Sequence, residues 1–355
     1  MRSDMTYEQP IRYRDDLEQE LPDEEAIVSE TIALMRQTMK QTFEETRHGT
    51  SGTHAKSHGV VTGRFEVLPD LPPELAQGMF AVPATYETVV RFASEPGGID
   101  PDTAQRARGA AVKVLDVPGE KLRDGWTSQD FLLNTWPIIP QGDAKVYLDA
   151  IRARAEHHGH YVRTVAATMA KHPAPKGTLF DRTPNIHPLA FSYYSQGAFR
   201  YGDHVAKFHI APATDRQREL AEQTVPAGAS PGILSEWVRD FFAGQEARFE
   251  FRVQLNVDPQ AMPIEDASVE WDETRSPYRT VAMLILPAQE SFSPARRVYA
   301  EDVMSWRPWH GLRAFRPLGS INRVRRRGYE ELGKWRHDIN ARTEQNPTSL
   351  QEVPA

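Results

Sequence analysis

The chain has 355 residues, of which 39% are hydrophobic and 26% charged, as is typical of a soluble globular protein with a sizeable core. It has no cysteine, which excludes disulfides, thiolate-bound metals and thiol catalysis. A net charge of -7 disfavours a nucleic-acid partner, and no apolar run is long enough to span a membrane. The first residues lack the apolar core of a secretory signal, so we expect a cytoplasmic protein.

The pattern of residues along the chain predicts one mixed domain at 23–340, between an N-terminal arm (1–22) and a flexible tail (341–355). Apolar residues at helical spacing, after an acidic first turn, predict a helix from Asp23 to Arg47. After His54 the pattern changes to alternation, which predicts strands. Further predicted helices are Glu74–Phe80, Asp143–Glu156, His160–Lys171, Asp215–Gln223 and Ile233–Phe242. The predicted strands are 60–67, Tyr86–Phe92, Ala110–Leu115, Phe131–Leu133, Phe191–Tyr194, His204–Ile210, Arg248–Leu255 and Val281–Leu286. Periodicity alone indicates an α+β fold of about eight strands.

A basic stretch near the C-terminus carries the most informative spacing. Read as a helix, it places Arg325, Tyr329, Leu332 and Arg336 on one face. A hydrogen-bonded arginine and a metal cation would both favour the phenolate form of a tyrosine, and tyrosinate is a known ligand of haem iron. The same residues also suit an ordinary basic helix with one amphipathic tyrosine, so this stretch alone leaves both interpretations open.

Motifs elsewhere occur in an order that resembles the haem-catalase family. His54-Ala55-Lys56 is followed by Phe65-Glu66-Val67, Arg91-Phe92, the run Arg108-Gly109-Ala110-Ala111-Val112-Lys113, and finally Arg325-x-x-x-Tyr329. The family has H-A-K-G, F-E-V, R-F-S, R-G-x-A-x-K and R-x-x-x-Y in this order. The resemblance runs from about Thr53 to Arg336, and the divergence indicates a small catalase-like haem protein rather than a true catalase.

The resemblance implies a closed antiparallel β-barrel with flanking helices and a haem b between barrel and helix. It implies that Tyr329 is the metal ligand, with Arg325 beside it. It further implies that Arg108 and Arg336 clamp the haem propionates, because a guanidinium suits a carboxylate. Phe131 is expected to pack on a haem face.

His54 is the predicted distal acid–base group, because a histidine can take a proton from a peroxide and return it to the leaving oxygen. His58 is the rival, since the two side chains would share a parity if the strand began early. His54 is preferred because it matches the H-A-K motif.

The sequence departs from the family pattern around the distal histidine. The asparagine that helps to hold peroxide aligns with Thr127, with Gln129 or Asn134 as possible substitutes. Ser51 stands where the family has a propionate arginine. Thr53 replaces the usual valine before the histidine, as in relatives similar to the coral-type allene oxide synthases, and its hydroxyl could retune the imidazole.

These departures favour a haem-dependent peroxidase acting on organic or lipid hydroperoxides with a small electron donor. The alternatives are a fatty-acid hydroperoxide isomerase, a compact hydrogen peroxide catalase, and a non-catalytic haem carrier or sensor. The resemblance also implies a possible homo-oligomer. We expect neither a nucleic-acid partner nor a membrane span.

Overall fold

A computed structural model of the protein describes residues 8–173 and 183–355. Its centre is an antiparallel sheet in the order β5-β4-β3-β2-β1-β9-β8-β7-β6, and β5 also pairs with β7. This pairing closes a ring of eight strands and leaves β6 as a hairpin partner of β7, which confirms the expected closed barrel. The strands are β1 (Lys56–Val67), β2 (Thr85–Ser94), β3 (Arg108–Val114), β4 (Gln129–Asn134), β5 (Tyr193–Tyr194), β6 (Phe199–Tyr201), β7 (His204–Pro212), β8 (Ala247–Leu255) and β9 (Arg279–Leu286).

Helices cover part of the outside of the barrel. The first helix packs on the second and on the last through a separate apolar cluster that includes Ile32, Met39, Leu148, Val324 and Leu332. In the ranges that the structure describes, no helix is both long and apolar enough to cross a bilayer. The helices are α1 (Glu24–Thr46), α2 (Ala144–Glu156), α3 (Tyr161–Lys171), α4 (Asp215–Glu219), α5 (Ile233–Phe242), α6 (Pro294–Val298) and α7 (Ser320–Ile339), with a π-helical turn (Tyr299–Val303) directly after α6.

Aromatic side chains fill the interior of the barrel. The rings of Phe131 and Phe251 are 4.7 Å apart, those of Phe131 and Phe208 4.9 Å, and those of Phe65 and Phe251 5.0 Å. All four side chains are almost completely buried. Such close packing leaves no room for a large ligand inside the barrel, so a cofactor site must lie outside it.

One predicted helix differs from the expectation, and the described parts of both chain ends are held to the barrel. The predicted helix Glu74–Phe80 is only a 3-10 turn, Gly78–Phe80, because Gly78 has a φ of 55°, which ends a right-handed helix. The tail is not free: the backbone N–H of Leu350 donates to Glu87, and Val353 is buried against the barrel.

The described part of the N-terminal arm is also held to the barrel. The backbone N–H of Ile11 donates to the carbonyl of Asn256, and that of Tyr13 to the carbonyl of Asp203. Residues 1–7 of the predicted arm lie outside the described residues.

Candidate active site

A large cavity, of about 640 Å³, lies between the barrel and the helices. Its barrel wall is the outer face of β2, β3 and β4, and its other walls are α1, α2, α3, α7 and the loop after the π-helical turn. The register of the strands places Ala93, Gly109 and Asn134 in one row across the sheet, with Ala111 and Leu132 in the next row. The small side chains of Ala93 and Ala111 let a broad ligand lie close to the sheet.

The predicted face of the C-terminal helix lines this cavity. Arg325, Tyr329, Leu332 and Arg336 of α7 all contribute to its wall. The guanidinium Nη2 of Arg325 lies 3.5 Å from the hydroxyl of Tyr329, and its carbon lies 5.5 Å from the centre of the tyrosine ring.

Arginine side chains with little counter-charge gather at one part of the cavity. Arg336 is buried, and burial lowers its pKa to about 10. Within the described ranges, no carboxylate lies within the 4.0 Å ion-pair distance of its guanidinium, which donates instead to the carbonyl of Met304. Arg91 is also buried, and its nearest carboxylate, that of Glu301, is 4.0 Å away. Buried guanidiniums with so little compensation suit a ligand that carries carboxylates.

On the barrel wall, His54 meets two polar side chains. Its Nε2 lies 3.3 Å from Nδ2 of Asn134 and 3.4 Å from Oε1 of Glu95. Asn134 Nδ2 also donates to Glu95 Oε1 at 3.2 Å. The backbone N–H of Trp136 donates to Asn134 Oδ1, which turns the amide nitrogen toward the other two groups. His54 thus presents a hydrogen-bonded edge to the cavity.

The opposite edge of the same imidazole lies against Gly109, which has no side chain. A Cβ added to Gly109 would stand 2.7 Å from Nδ1 of His54, so only glycine leaves room for the ring. Nδ1 is buried without a hydrogen-bond partner in the described structure. Thr53, the residue before His54, also lines the cavity.

The structure separates the two candidate histidines. β1 begins at Lys56, whereas His54 precedes it with a left-handed φ of 48°, so the two histidines do not share a strand face and His58 does not line the cavity. His58 is fully buried, with its Nε2 2.5 Å from the hydroxyl of Ser94. Burial, strengthened by nearby positive charges, holds its pKa well below the usual range, so it stays neutral.

Three predicted site residues do not line the cavity. Arg108 lies on the other side of β3, where it donates to Ser94 and contacts Asn185. Phe131 points into the barrel core, because it has the inward parity of β4. Thr127 precedes β4, and its side chain does not line the cavity.

Of the two substitutes that the sequence offers for the expected asparagine, only Asn134 lies beside His54. Asn134 has the outward parity of β4 and reaches His54, whereas Gln129 accepts a hydrogen bond from the backbone of Leu312 on another side. The alternation of Phe131 and Leu133 into the core could have identified Asn134 in advance.

Sequence reasoning also missed Arg91 and Glu95 as site residues. Arg91 belongs to a motif that matches the family pattern, and its outward parity on β2 distinguishes it from Arg108. Glu95 follows β2 directly and carries no sequence signal. Trp306 and Arg307 line the cavity as well.

Solved structures similar to this chain are catalases. A fungal catalase matches at 17% identity with a TM-score of 0.59, covering 87% of this chain and 65% of its own. Catalase A from Saccharomyces cerevisiae matches at 16% identity and a TM-score of 0.61, covering 96% and 68%. A bacterial catalase matches at 16% identity and a TM-score of 0.59, covering 87% and 62%.

The chain therefore spans about two thirds of the length of these catalases. No family model matches the sequence, and no curated protein matches it. At this level of identity the likeness concerns the fold. The chain has the catalase fold.

Proposed function

We propose that the chain is a haem-dependent peroxidase of organic or lipid hydroperoxides. Tyr329 is the ligand of the iron of a haem b, and His54 is the distal acid–base group. One observation carries the proposal: a single cavity between barrel and helices has a phenol beside a guanidinium on the α7 wall and an imidazole on the barrel wall. The catalase fold supports the same conclusion.

The residues of the cavity fit a haem. The buried guanidiniums of Arg91 and Arg336 would pair with two propionate carboxylates. The small side chains of Ala93 and Ala111, in neighbouring rows of the sheet, leave a shallow surface on which a flat macrocycle can lie. Tyr329, beside Arg325 on the α7 wall of the cavity, is the proposed ligand of the iron.

The chemistry divides between the cofactor and the chain. Haem, when bound, supplies the two electrons that cleave the O–O bond, and a small organic donor restores them. Arg325 lies beside the Tyr329 oxygen, where its guanidinium can donate to that oxygen. His54 takes the hydroperoxide proton and gives it to the oxygen that leaves as an alcohol. Asn134 donates to Glu95 Oε1, which lies beside Nε2 of the same imidazole.

The apolar part of the lining supports organic substrates. Met35, Met39, Ile138 and Val165 lie in the walls and could bind an alkyl chain. The binding energy of an alkyl chain, which lies away from the reacting oxygen atoms, can lower the barrier for cleavage of the O–O bond. Because Asn134 provides an amide beside His54, the argument from a missing asparagine no longer applies. The preference for organic hydroperoxides over hydrogen peroxide therefore depends on this lining and on Thr53.

Thr53 supports a second candidate function, the isomerisation of fatty-acid hydroperoxides. Its side chain lines the cavity beside His54, where the resemblance to coral-type allene oxide synthases placed it. An isomerase rearranges its substrate without consuming an electron donor, which distinguishes it from a peroxidase.

The test begins with an absorbance spectrum of the protein purified with haem, followed by initial rates with hydrogen peroxide, cumene hydroperoxide and a fatty-acid hydroperoxide. Each rate is measured with and without a phenolic reductant. A peroxidase consumes the organic hydroperoxides only with the reductant, and an isomerase consumes the lipid substrate without it. Oxygen evolution from hydrogen peroxide faster than every organic rate would refute the proposal, as would a protein that binds no haem.

A further inference from the structure

The contact between His54 and Glu95 places a carboxylate at the reactive edge of the cavity. Both side chains are 23% exposed, and both line the cavity, so their contact faces the space that a substrate would occupy. Nδ1 of His54 is buried against Gly109, which leaves Nε2 as the ring nitrogen at the cavity surface. Glu95 Oε1 is 3.4 Å from this atom.

We propose that Glu95 and His54 form one proton-exchanging unit, in which a single proton is shared between Oε1 of the carboxylate and Nε2 of the imidazole. The proposal rests on the proposed hydroperoxide activity and deepens it. When the hydroperoxide O–H bond breaks, its proton joins this unit. The unit then returns one proton to the oxygen that leaves as an alcohol, so its proton count is unchanged after each turnover.

The surroundings of Glu95 favour its ionised form. Burial alone would favour the neutral acid, but the hydrogen bond and charge of His54, with Arg154 and Asn134, outweigh it and lower the pKa of Glu95. Nη1 of Arg154 is itself buried without a hydrogen-bond partner in the described structure. The carboxylate is thus available as a proton acceptor at neutral pH.

Other ionisable groups face this pair from the neighbouring elements. Arg91 of β2 donates to the backbone carbonyl of His54 and remains a fixed charge. Tyr147 of α2 and Tyr161 of α3 also line the cavity, and burial raises the pKa of both. Both tyrosines therefore stay neutral near pH 7, and neither competes for the shared proton. The groups that face the pair are Arg91, Asn134, Tyr147, Arg154 and Tyr161.

An infrared titration tests the sharing without haem or substrate. The band of the protonated Glu95 carboxyl is identified in the chain without cofactor by its loss in Glu95→Gln. In the parent protein it should appear only at acidic pH, and in His54→Gln it should appear at a higher pH, because the partner that favours ionisation is gone. An unchanged midpoint in His54→Gln would overturn the proposal.

A second histidine–carboxylate pair provides the control. His48 Nε2 lies 2.9 Å from Asp302 Oδ1, and His48 also lines the cavity. Asp302→Asn should leave the Glu95 midpoint where the parent protein has it. A shift as large as that in His54→Gln would mean that the titration reports the overall charge of the cavity, which overturns the specific pairing.

The catalytic arm of the test uses the haem-loaded protein. Glu95→Gln keeps the shape of the side chain and should lower kcat/KM for an organic hydroperoxide about 10²-fold, at the lower end of what an acid–base group contributes. Haem content should stay that of the parent protein, and Glu95→Asp should recover part of the rate. Full activity in Glu95→Gln would overturn the proposal. If the parent protein turned over no hydroperoxide, the proposed function would fail, while the infrared result would still decide whether the proton is shared.

Discussion

A methyl group added at Gly109 should displace the imidazole of His54. In Gly109→Ala the new Cβ would lie 2.7 Å from Nδ1, 2.8 Å from Cε1 and 3.2 Å from Cγ of His54. Contacts under 3.0 Å are too short for real Cβ atoms, so the ring must move by several tenths of an ångström. The other edge of the ring meets Asn134 and Glu95, so the movement breaks or lengthens those contacts.

The cost of this change follows from the geometry. Overpacking of this kind typically costs about 1–3 kcal/mol of folding free energy. A misplacement of about 1 Å can cost about 10²-fold in rate, because proton transfer needs hydrogen-bond distance. We therefore expect a modest loss of stability and a large loss of hydroperoxide turnover. Haem content should change little, because Tyr329, Arg91 and Arg336 are unaffected.

The assay measures haem absorbance and initial hydroperoxide consumption per bound haem, with thermal unfolding measured in parallel. Gly98→Ala is the matched control, since an added Cβ there meets no atom within 4 Å. It should behave as the parent protein in all three measurements. Full turnover in Gly109→Ala would show that the position of the His54 ring does not limit the reaction.

Further substitutions test the two walls of the cavity and the barrel. Tyr329→Phe removes the proposed oxygen ligand and should abolish or sharply weaken haem retention; an unchanged Soret band would contradict that assignment. His54→Gln should lose about 10²–10⁴-fold in hydroperoxide turnover per haem, whereas His58→Gln should lose much less, and the reverse order would reject His54 as the acid–base group. Asp130→Asn breaks a buried ion pair with Lys113, whose Nζ is 2.6 Å from Asp130 Oδ1, and should cost about 3–5 kcal/mol at pH 7 by chemical denaturation. Burial alone would raise the pKa of Asp130, but Lys113 outweighs it and lowers that pKa, so the stabilisation is full above the unfolded pKa of about 3.9 and is lost as the pH falls through the folded value. The difference between Asp130→Asn and the parent protein should therefore shrink in acid, and a constant difference would exclude an ionised Asp130.

The parts of the site that the sequence predicts are those that follow from local periodicity. The spacing of Arg325, Tyr329 and Arg336 predicts a shared helical face, and α7 presents that face to the cavity. A helix fixes these positions through its own backbone, so no knowledge of distant residues is required.

The errors arise where the face of a strand decides the outcome. Arg108 and Arg91 are both arginines in motifs of adjacent strands, yet only Arg91 has the outward parity. A match of sequence letters does not record which side of the sheet a residue occupies, and a shift of one residue reverses it. The parity expected between His54 and His58 fails for a related reason, because His54 lies before β1 with a left-handed φ of 48° and the alternation of the strand does not extend to it.

The barrel wall around His54 is built by residues from three neighbouring strands. Ala93, Gly109 and Asn134 lie side by side only because β2, β3 and β4 pair in this register. The small residues leave space for the imidazole, and the asparagine at the end of the same row reaches its Nε2 edge. Glu95 follows β2 with the same parity as Arg91 and Ala93, and it lines the cavity as they do. A carboxylate at this position places a proton acceptor beside the histidine. The two groups meet because three strands pair in this register, and no single sequence motif contains both the asparagine and the carboxylate.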